Sequence, residues 1–301
     1  MKTNNGTPIV LAGAAHEQLA SSVAEALGVR LGAYAAQRFP DGEMYVAVGP
    51  EIEGRDVALV QPLGGATGEH LLELRLLTDA CKRARARSVT AVVPYMAYAR
   101  QDHRTSPRQS LAMRVMADLI GMDLARLVVV DMHASALETA FAVPLVHLSA
   151  APILAEAVKP TAQRSVVVAP DLGAVKLARS YATILNLPLA IVHKTRMSPT
   201  EVVAERVIGD VRGLEPLIVD DMISTGGTIA AAADALLAQG CASRLRAVAT
   251  HGVLATGAVE RMHAHGVAEL VITDTLPTPQ LTRALRVQVV SIGPALAQAL
   301  R

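Results

Sequence analysis

The chain has 301 residues, which is enough for two domains of ordinary size. Hydrophobic residues make up 51% and charged residues 18%, and 28 Lys and Arg nearly balance 27 Asp and Glu. This composition excludes an intrinsically disordered chain and a polyelectrolyte surface. Cys81 and Cys241 form no Cys-x-x-Cys pattern, and no apolar run approaches the ~18 residues of a membrane span. We therefore expect a cytoplasmic protein without a disulfide scaffold.

Short apolar runs recur along the chain, and each is followed by a turn and a longer Ala- and Leu-rich segment. Such runs are typical of strands that are buried on both faces of a parallel sheet. The predicted strands are 9–11, 57–60, 89–93, 127–130, 165–169, 217–219, 245–249, 270–272 and 287–290. The clearest predicted helices are 68–87, 109–121, 175–185 and 227–240.

The alternation of strands and helices occurs twice. Residues 127–135 (LVVVDMHAS) have the same plan as residues 217–225 (LIVDDMIST), because both are a buried strand with acidic and polar residues at its carboxyl end. Ligands of open parallel sheets collect at that edge. We predict an α/β protein with two tandem domains, 1–146 and 147–301, each a mainly parallel sheet flanked by helices.

The basic run 82–87 (KRARAR) is the one segment that suggests nucleic acid binding. It lies at the end of a predicted helix, where cations complement the helix dipole. Because no further basic or aromatic residues extend it, we expect no nucleic acid partner.

Residues 219–228 (VDDMISTGGT) follow a predicted strand and precede an Ala-rich helix. Such a loop offers backbone N–H groups, hydroxyls and a helix N-terminus to one phosphate, and its glycines permit close approach. The carboxylates of Asp220 and Asp221 would repel that phosphate, so we expect them to face hydroxyls or a cation elsewhere on the same ligand. A sugar phosphate meets both requirements, whereas an N-capped helix is the structural alternative. The predicted phosphate contacts are Ser224, Thr225, Gly226, Gly227 and Thr228.

This loop resembles the phosphoribosyl pyrophosphate loop of type I phosphoribosyltransferases and ribose-phosphate pyrophosphokinases. Six further motifs are similar to those of the pyrophosphokinase family, in its order and spacing. They are 39–43 (FPDGE), 94–102 (PYMAYARQD), 131–133 (DMH), 170–173 (PDLG), 194–196 (KTR) and 250–254 (THGVL). The ordered set is specific and covers nearly the whole chain. The resemblance implies two phosphoribosyltransferase-like domains, the first on the ATP side and the second on the ribose 5-phosphate side.

Phe39 is one of only two Phe residues and lies in a Pro-Asp-Gly turn, where burial is not expected. Its ring could stack on a base, with Asp41 and Glu43 accepting hydrogen bonds, although a packed hairpin tip is the structural alternative. The resemblance implies that this loop binds ATP. The implied ATP contacts are Phe39, Asp41, Gly42, Glu43, Arg100 and Gln101, the last two lying in a segment that otherwise suggests a solvated charge run.

The resemblance implies that His133 and Asp171 hold Mg²⁺ against the ATP phosphates. Mg²⁺ prefers oxygen ligands and keeps its waters, so His133 would act through a water or on a phosphate oxygen. Lys194 and Arg196 are two residues apart, which on extended backbone directs both to one side and suits a clamp on a phosphoryl group. The resemblance makes both catalytic and adds Arg196 to the ribose 5-phosphate contacts, although alone they would suggest a solvated pair.

The implied reaction is Mg²⁺-dependent transfer of the β,γ-diphosphoryl group of ATP to the 1-hydroxyl of ribose 5-phosphate, in a homo-oligomer that is hexameric or otherwise built from dimers. Two alternatives stay open, a type I phosphoribosyltransferase and a noncatalytic regulatory relative of the synthetase. Ser224 stands where the family commonly has Asp, and Thr195 and Leu177 stand where Arg is usual. Together with differences in 103–109, these departures leave ADP inhibition, phosphate activation and strict preference for ATP open.

Overall fold

The computed structural model describes residues 6–132, 139–159, 164–196, 203–278 and 285–301, without the side chains of 194–196 and 203–205. The chain divides into two compact units. Unit 1 contains Met1–Leu148, Thr275–Pro277 and Ser291–Arg301, and unit 2 contains Ser149–Asp274 and Thr278–Val290. The predicted domain bounds 1–146 and 147–301 stay a prediction. The two compact units differ from them, because two C-terminal segments belong to unit 1.

A parallel five-stranded sheet with the spatial order β1-β4-β5-β6-β7 forms the centre of unit 1. Strands β2 and β3 form a separate antiparallel hairpin, and β3 lies against α2. The elements are β1 (Ile9–Ala12), α1 (Glu17–Leu27), β2 (Tyr34–Arg38), β3 (Met44–Val48), β4 (Asp56–Val60), α2 (Thr67–Arg83), β5 (Ser88–Val93), α3 (Ala112–Gly121), β6 (Arg126–Val130) and β7 (Leu145–Leu148).

Unit 2 contains a seven-stranded sheet with the order β10-β9-β8-β11-β12-β13-β14, in which only β10 is antiparallel to its neighbour among the described residues. Its elements are α4 (Ala151–Ala157), β8 (Ser165–Ala169), α5 (Val175–Leu185), β9 (Leu189–Arg196), β10 (Val203–Ile208), β11 (Glu215–Ile223), α6 (Gly227–Ala238), β12 (Leu245–Gly252), α7 (Ala258–Ala264), β13 (Val267–Thr273) and β14 (Arg286–Val290). The last helix, α8 (Gly293–Ala299), belongs to unit 1 and packs there against α1.

Each apolar run identified in the sequence lies in a strand, and the sheets are flanked by helices as predicted. The strands of the sheet centres are buried on both faces, as in β8, where every residue is buried. Burying an aliphatic side chain of this kind stabilises the folded state by roughly 1.5–3 kcal/mol. The aliphatic core therefore fixes the sheets whose edges carry the polar loops. No helix in the described ranges combines the length and the apolar character of a membrane span.

Several element boundaries differ from the sequence prediction, and two of them concern the acidic pair and the basic run. Strand β11 continues to Ile223 instead of ending at Val219, because its pairing with β12 extends to the partners Ile223 and Gly252. The acidic pair therefore lies within the strand. Helix α2 ends at Arg83 because Arg85 adopts a left-handed conformation with φ 61°.

The basic run 82–87, which begins in the last turn of α2, is held at the surface by neighbouring carboxylates. Its ion pairs join Lys82 to Asp123, Arg83 to Asp79, Arg85 to Glu53 and Arg87 to Asp56. These pairs offset the positive charge of the run locally.

Candidate active site

Three carboxyl groups of unit 2 lie where two neighbouring parallel strands end. Asp220 and Asp221 are near the carboxyl end of β11, and Asp171 follows β8, the strand paired with β11. The Asp221 backbone N–H donates to Asp220 Oδ1 at 2.9 Å. Asp171 Oδ1 accepts the N–H of Ala174 at 3.1 Å, which fixes the carboxylate at the start of α5. We call these three carboxyl groups the acidic edge.

The environment of Asp220 opposes a negative charge on its side chain. Burial, followed by the charges of Asp221 and Asp171, raises the pKa of Asp220 to about 8. A cation or a set of hydroxyl donors at the acidic edge would offset this repulsion. That Asp220 and Asp221 face hydroxyls or a cation stays a prediction, which the electrostatics of Asp220 favour.

The loop that joins β11 to α6 is shaped for close approach to the helix start. Gly226 is the residue before α6 and has φ 72°, a left-handed conformation that favours glycine. A Cβ atom there would lie 2.9 Å from Ala258 O and 3.0 Å from Met262 Cγ. No described side chain caps α6, and its first turn contains no acidic residue. The first-turn N–H groups therefore suit an anion.

The predicted ATP turn is the tip of the hairpin of β2 and β3 in unit 1. Phe39 is 48% exposed, as its place in a Pro-Asp-Gly turn predicts, and its ring contacts Tyr45 edge-on with 6.5 Å between the ring centroids. Gly42 has φ 94°. The N–H of Glu43 donates to Asp41 Oδ1 at 3.1 Å, so one carboxylate oxygen of Asp41 holds the turn.

Two contacts to α2 hold this hairpin. Arg38 Nη2 forms an ion pair with Glu69 Oε2 at 2.8 Å, while its Nη1 donates to Gly42 O at 3.0 Å. At the other end of β2, the Tyr34 hydroxyl donates to Glu73 Oε1 at 3.0 Å. Burial and the carboxylate of Glu73 raise the pKa of Tyr34, so its hydroxyl stays a donor.

Glu73 also connects the hairpin to the sheet of unit 1. Its side chain is buried, and its Oε2 accepts Gln61 Nε2 at 2.6 Å and the N–H of Ala14 at 3.0 Å. These charge-assisted bonds link α2 to the residues that follow β1 and β4. The hairpin is thus supported by a buried polar network.

Arg100 and Gln101 lie in the turn that follows β5, and both are exposed. The Gln101 N–H donates to Tyr98 O at 2.8 Å, and Gln101 O accepts the Met113 N–H at 3.3 Å. These bonds tie the turn to the start of α3 and leave the Arg100 side chain at the surface.

The remaining predicted residues are placed only in part. Lys194 and Arg196 lie on β9, where their backbones oppose Glu205 and Val203 of β10, and their side chains are outside the described part of the structure. His133 is outside the described residues. Within the described ranges, no group of three or more His, Cys, Asp or Glu side chains could hold a metal ion. Mg²⁺ sites commonly use one or two carboxylates together with waters and substrate phosphates, so this finding is compatible with such a site.

Sequence reasoning missed the residues that support the two loops. They are Glu73, Arg38, Glu69 and Gln61 around the hairpin, and Arg261 beside the loop before α6. Their partners lie far along the chain, as in the case of Arg261 and Thr225, which are separated by 36 residues. No local spacing pattern signals such a contact.

The folds of the two units, with a glycine loop between a strand end and a helix start, define a protein with two phosphoribosyltransferase-like domains. Residues 8–122 match the model of the N-terminal domain of ribose phosphate pyrophosphokinase, and residues 148–278 match the phosphoribosyl transferase domain. The predicted fold class is therefore confirmed.

Full-length relatives identify the family. A ribose-phosphate pyrophosphokinase of Gloeobacter violaceus is 40% identical over 97% of this chain and 88% of its own, and one of Streptomyces avermitilis is 43% identical over 96% and 90%. The crystal structure of phosphoribosylpyrophosphate synthetase from Mycobacterium smegmatis matches with a TM-score of 0.91 and 36% identity, covering 98% of both chains. The chain belongs to the ribose-phosphate pyrophosphokinase family and is an enzyme of phosphoribosyl pyrophosphate synthesis.

Proposed function

We propose that the enzyme transfers the β,γ-diphosphoryl group of ATP to the 1-hydroxyl of ribose 5-phosphate, with Mg²⁺ as cofactor. The 1-oxygen of the sugar forms a bond to the β-phosphorus and loses its proton, while the bond from that phosphorus to the α,β-bridging oxygen breaks. AMP leaves with the bridging oxygen, and the other product is phosphoribosyl pyrophosphate. One observation carries the proposal in a chain of this family: β11 bears Asp220 and Asp221 of the acidic edge and leads into the start of α6, which no described side chain caps.

Ribose 5-phosphate binds at this part of unit 2. The loop Ser224, Thr225, Gly226, Gly227 and Thr228 receives the 5-phosphate through backbone N–H groups and hydroxyls. Asp220 and Asp221 accept hydrogen bonds from the ring hydroxyls. The neutralising effect of those donors favours the charged form of Asp220, which burial disfavours. Ser224 can donate to the phosphate where the family commonly has a carboxylate.

ATP binds to unit 1 through the hairpin tip and the turn after β5. The half-exposed ring of Phe39 offers a face for the base, and Asp41 and Glu43 accept hydrogen bonds from the nucleoside. Gly42 allows the turn its left-handed conformation. Arg100 and Gln101 donate to the phosphates, and their exposure leaves these donors accessible.

The donor set fits a magnesium ion. Asp171 supplies carboxylate oxygen beside a cluster whose charge a divalent cation would offset, and oxygen is the ligand that Mg²⁺ prefers. We assign Asp171 and His133 as the residues that hold it. When bound, the ion neutralises charge on the ATP phosphates.

Lys194 and Arg196 act as the catalytic cations, and Arg196 also contacts ribose 5-phosphate. Their backbones belong to an extended strand, in which alternate residues share a face. Two cations on one face stabilise the negative charge that moves from the diphosphoryl group to AMP.

The enzyme works as a homo-oligomer in the cytoplasm, without nucleic acid or membrane partners. Four large apolar side chains on or next to α2 and α3 support a contact between copies, since they are each more than 40% exposed. They are Leu72, Val115, Leu119 and Met122. Light scattering of the purified chain measures the assembly, for which we propose a hexamer or another assembly of dimers.

The test of the function is the appearance of AMP when the pure protein is incubated with ribose 5-phosphate, ATP and Mg²⁺. AMP that requires the sugar phosphate supports the proposal. Pyrophosphate release from phosphoribosyl pyrophosphate and a nucleobase, without AMP formation, would indicate a phosphoribosyltransferase instead. Absence of all turnover would indicate a regulatory relative.

Lys194→Ala tests the catalytic assignment. Removing one preorganised charge donor typically costs about a hundredfold or more in turnover, and we expect a loss of that size in kcat. Lys159→Ala is the matched control, because Lys159 is a surface residue of unit 2 paired with Glu156 at 3.4 Å. Equal turnover of the two variants would exclude the role of Lys194.

A further inference from the structure

Three consecutive carbonyl groups at the end of β11 accept hydrogen bonds from one segment, residues 254–261. Leu254 N–H donates to Ile223 O at 3.0 Å, and Ala255 N–H donates to Ser224 O at 2.9 Å. Arg261 Nη1 donates to Thr225 O at 2.7 Å. We call residues 254–261 the brace.

These contacts determine the direction of the neighbouring N–H groups. The described peptide bonds include no cis bond, and in a planar trans peptide the N–H points opposite to the C=O. Because the carbonyls of residues 223–225 face the brace, the N–H groups of residues 224–226 point away from it. Successive N–H groups directed to one side form an anion-binding concavity.

The third contact differs in kind from the first two. The bonds from Leu254 and Ala255 use backbone donors that any non-proline residue supplies, whereas the bond to Thr225 O needs the side chain of Arg261. The peptide that it holds ends at Gly226, which has φ 72° and no side chain to restrict rotation. Rotation of this peptide would turn Gly226 N–H away from the anion.

We propose that Arg261 is a positioning residue for ribose 5-phosphate. Its guanidinium fixes the peptide between Thr225 and Gly226 so that the loop is organised before the 5-phosphate arrives. The inference rests on the proposed function of this loop and adds a residue outside it. Arg261 thus differs in role from Arg196, which we propose to contact the substrate itself.

The experiment compares three variants by initial rates and by calorimetric titration with ribose 5-phosphate. Arg261→Met removes the donor and keeps an unbranched side chain, and Arg261→Lys restores a charged donor. Arg286→Met removes one charge from unit 2 at the amino end of β14, where Arg286 pairs with Glu269. This control shows how much the loss of one positive charge from unit 2 changes the affinity for ribose 5-phosphate when the contact with Thr225 O is kept.

Arg261→Met is expected to raise KM and Kd for ribose 5-phosphate about tenfold, which corresponds to about 1.4 kcal/mol. KM for ATP and the melting temperature should stay close to those of Arg286→Met. Arg261→Lys should recover most of the loss because it retains a donor at the same place.

Three results would contradict the inference. The affinities of Arg261→Met and Arg286→Met for ribose 5-phosphate could be equal. The KM values for both substrates could rise together with a lower melting temperature, which would indicate a structural role. Arg261→Lys could fail to recover affinity. If the wild-type chain itself bound no ribose 5-phosphate, the proposed function would fail, which is a distinguishable result.

Discussion

Substitution of Gly226 by Ala tests whether the loop before α6 needs a residue without a side chain. The substitution adds a Cβ atom to a residue with φ 72°. That atom would lie 2.9 Å from the backbone oxygen of Ala258 and 3.0 Å from Met262 Cγ. Either the loop moves away from α7 or the backbone leaves its left-handed conformation.

The expected cost has two parts. A left-handed conformation costs a residue with a side chain about 1 kcal/mol. The contact with Ala258 O adds on the order of 1–2 kcal/mol, because a backbone atom cannot rotate away as a side chain can. The matched control is Gly213→Ala, since Gly213 has φ 65° and its Cβ would meet no atom within 4 Å.

Thermal unfolding measures the cost in stability, and initial rates measure the effect on the loop. For domains of about 150 residues, 1 kcal/mol shifts the melting temperature by roughly 2–4 °C. We therefore expect a decrease of about 2–4 °C for Gly213→Ala and about 4–12 °C for Gly226→Ala. Only Gly226→Ala should raise KM for ribose 5-phosphate, by about tenfold or more, because it displaces the N–H groups of the loop. Equal melting temperatures and equal KM values for the two variants would refute the argument.

Two further predictions concern unit 1. Arg38→Met should raise KM for ATP about three- to tenfold, because the Gly42 carbonyl loses its donor. The control Arg114→Met removes an exposed ion pair on α3 and should leave KM for ATP unchanged. Equal KM values of the two variants in rate measurements would contradict this prediction. The hydrogen bond from Arg87 lowers the pKa of Asp56 from 3.8 to about 2, so Asp56 stabilises the fold above its unfolded pKa and loses this effect as pH falls toward 2. Asp56→Asn should therefore lower the free energy of unfolding at pH 7, and the melting temperature with it. The loss should be about 1 kcal/mol or less, because the pair with Arg87 is partly exposed. A difference between wild type and variant that persists undiminished at pH 3 would contradict the assignment.

The sheet centres could be predicted from the sequence because their strands are buried on both faces. Continuous Val, Ile and Leu runs identify such strands directly, as for β8, whose predicted and observed bounds agree. The antiparallel strand β10 was not predicted, because its sequence (VAERVI) contains charged residues and no continuous apolar run. Pairing with β9 determines that strand, and the pattern of one segment alone does not show its pairing partner.

The candidate site could be predicted where one short segment carries its chemistry. The loop 224–228 is visible in the sequence because glycines, hydroxyls and a helix start are adjacent. Its support by Arg261 could not be predicted, since the side chain of a distant helix meets a backbone oxygen. The exposure of Phe39 was predicted from its turn, whereas the network around Glu73 depends on tertiary packing.

The unpredicted extension of β11 explains how two carboxylates can lie in the same short segment as a loop suited to phosphate. Had the strand ended at Val219, a compact loop would bring the carboxylates of Asp220 and Asp221 close to the proposed phosphate site. Because the strand stays extended to Ile223, each residue adds about 3.3 Å, and Asp220 lies roughly 13 Å along the chain from Ser224. Repulsion between carboxylate and phosphate weakens with this separation. The strand therefore separates an acidic end from a helix start whose N–H groups suit an anion, which supports the proposal of a sugar that carries its phosphate away from its hydroxyls.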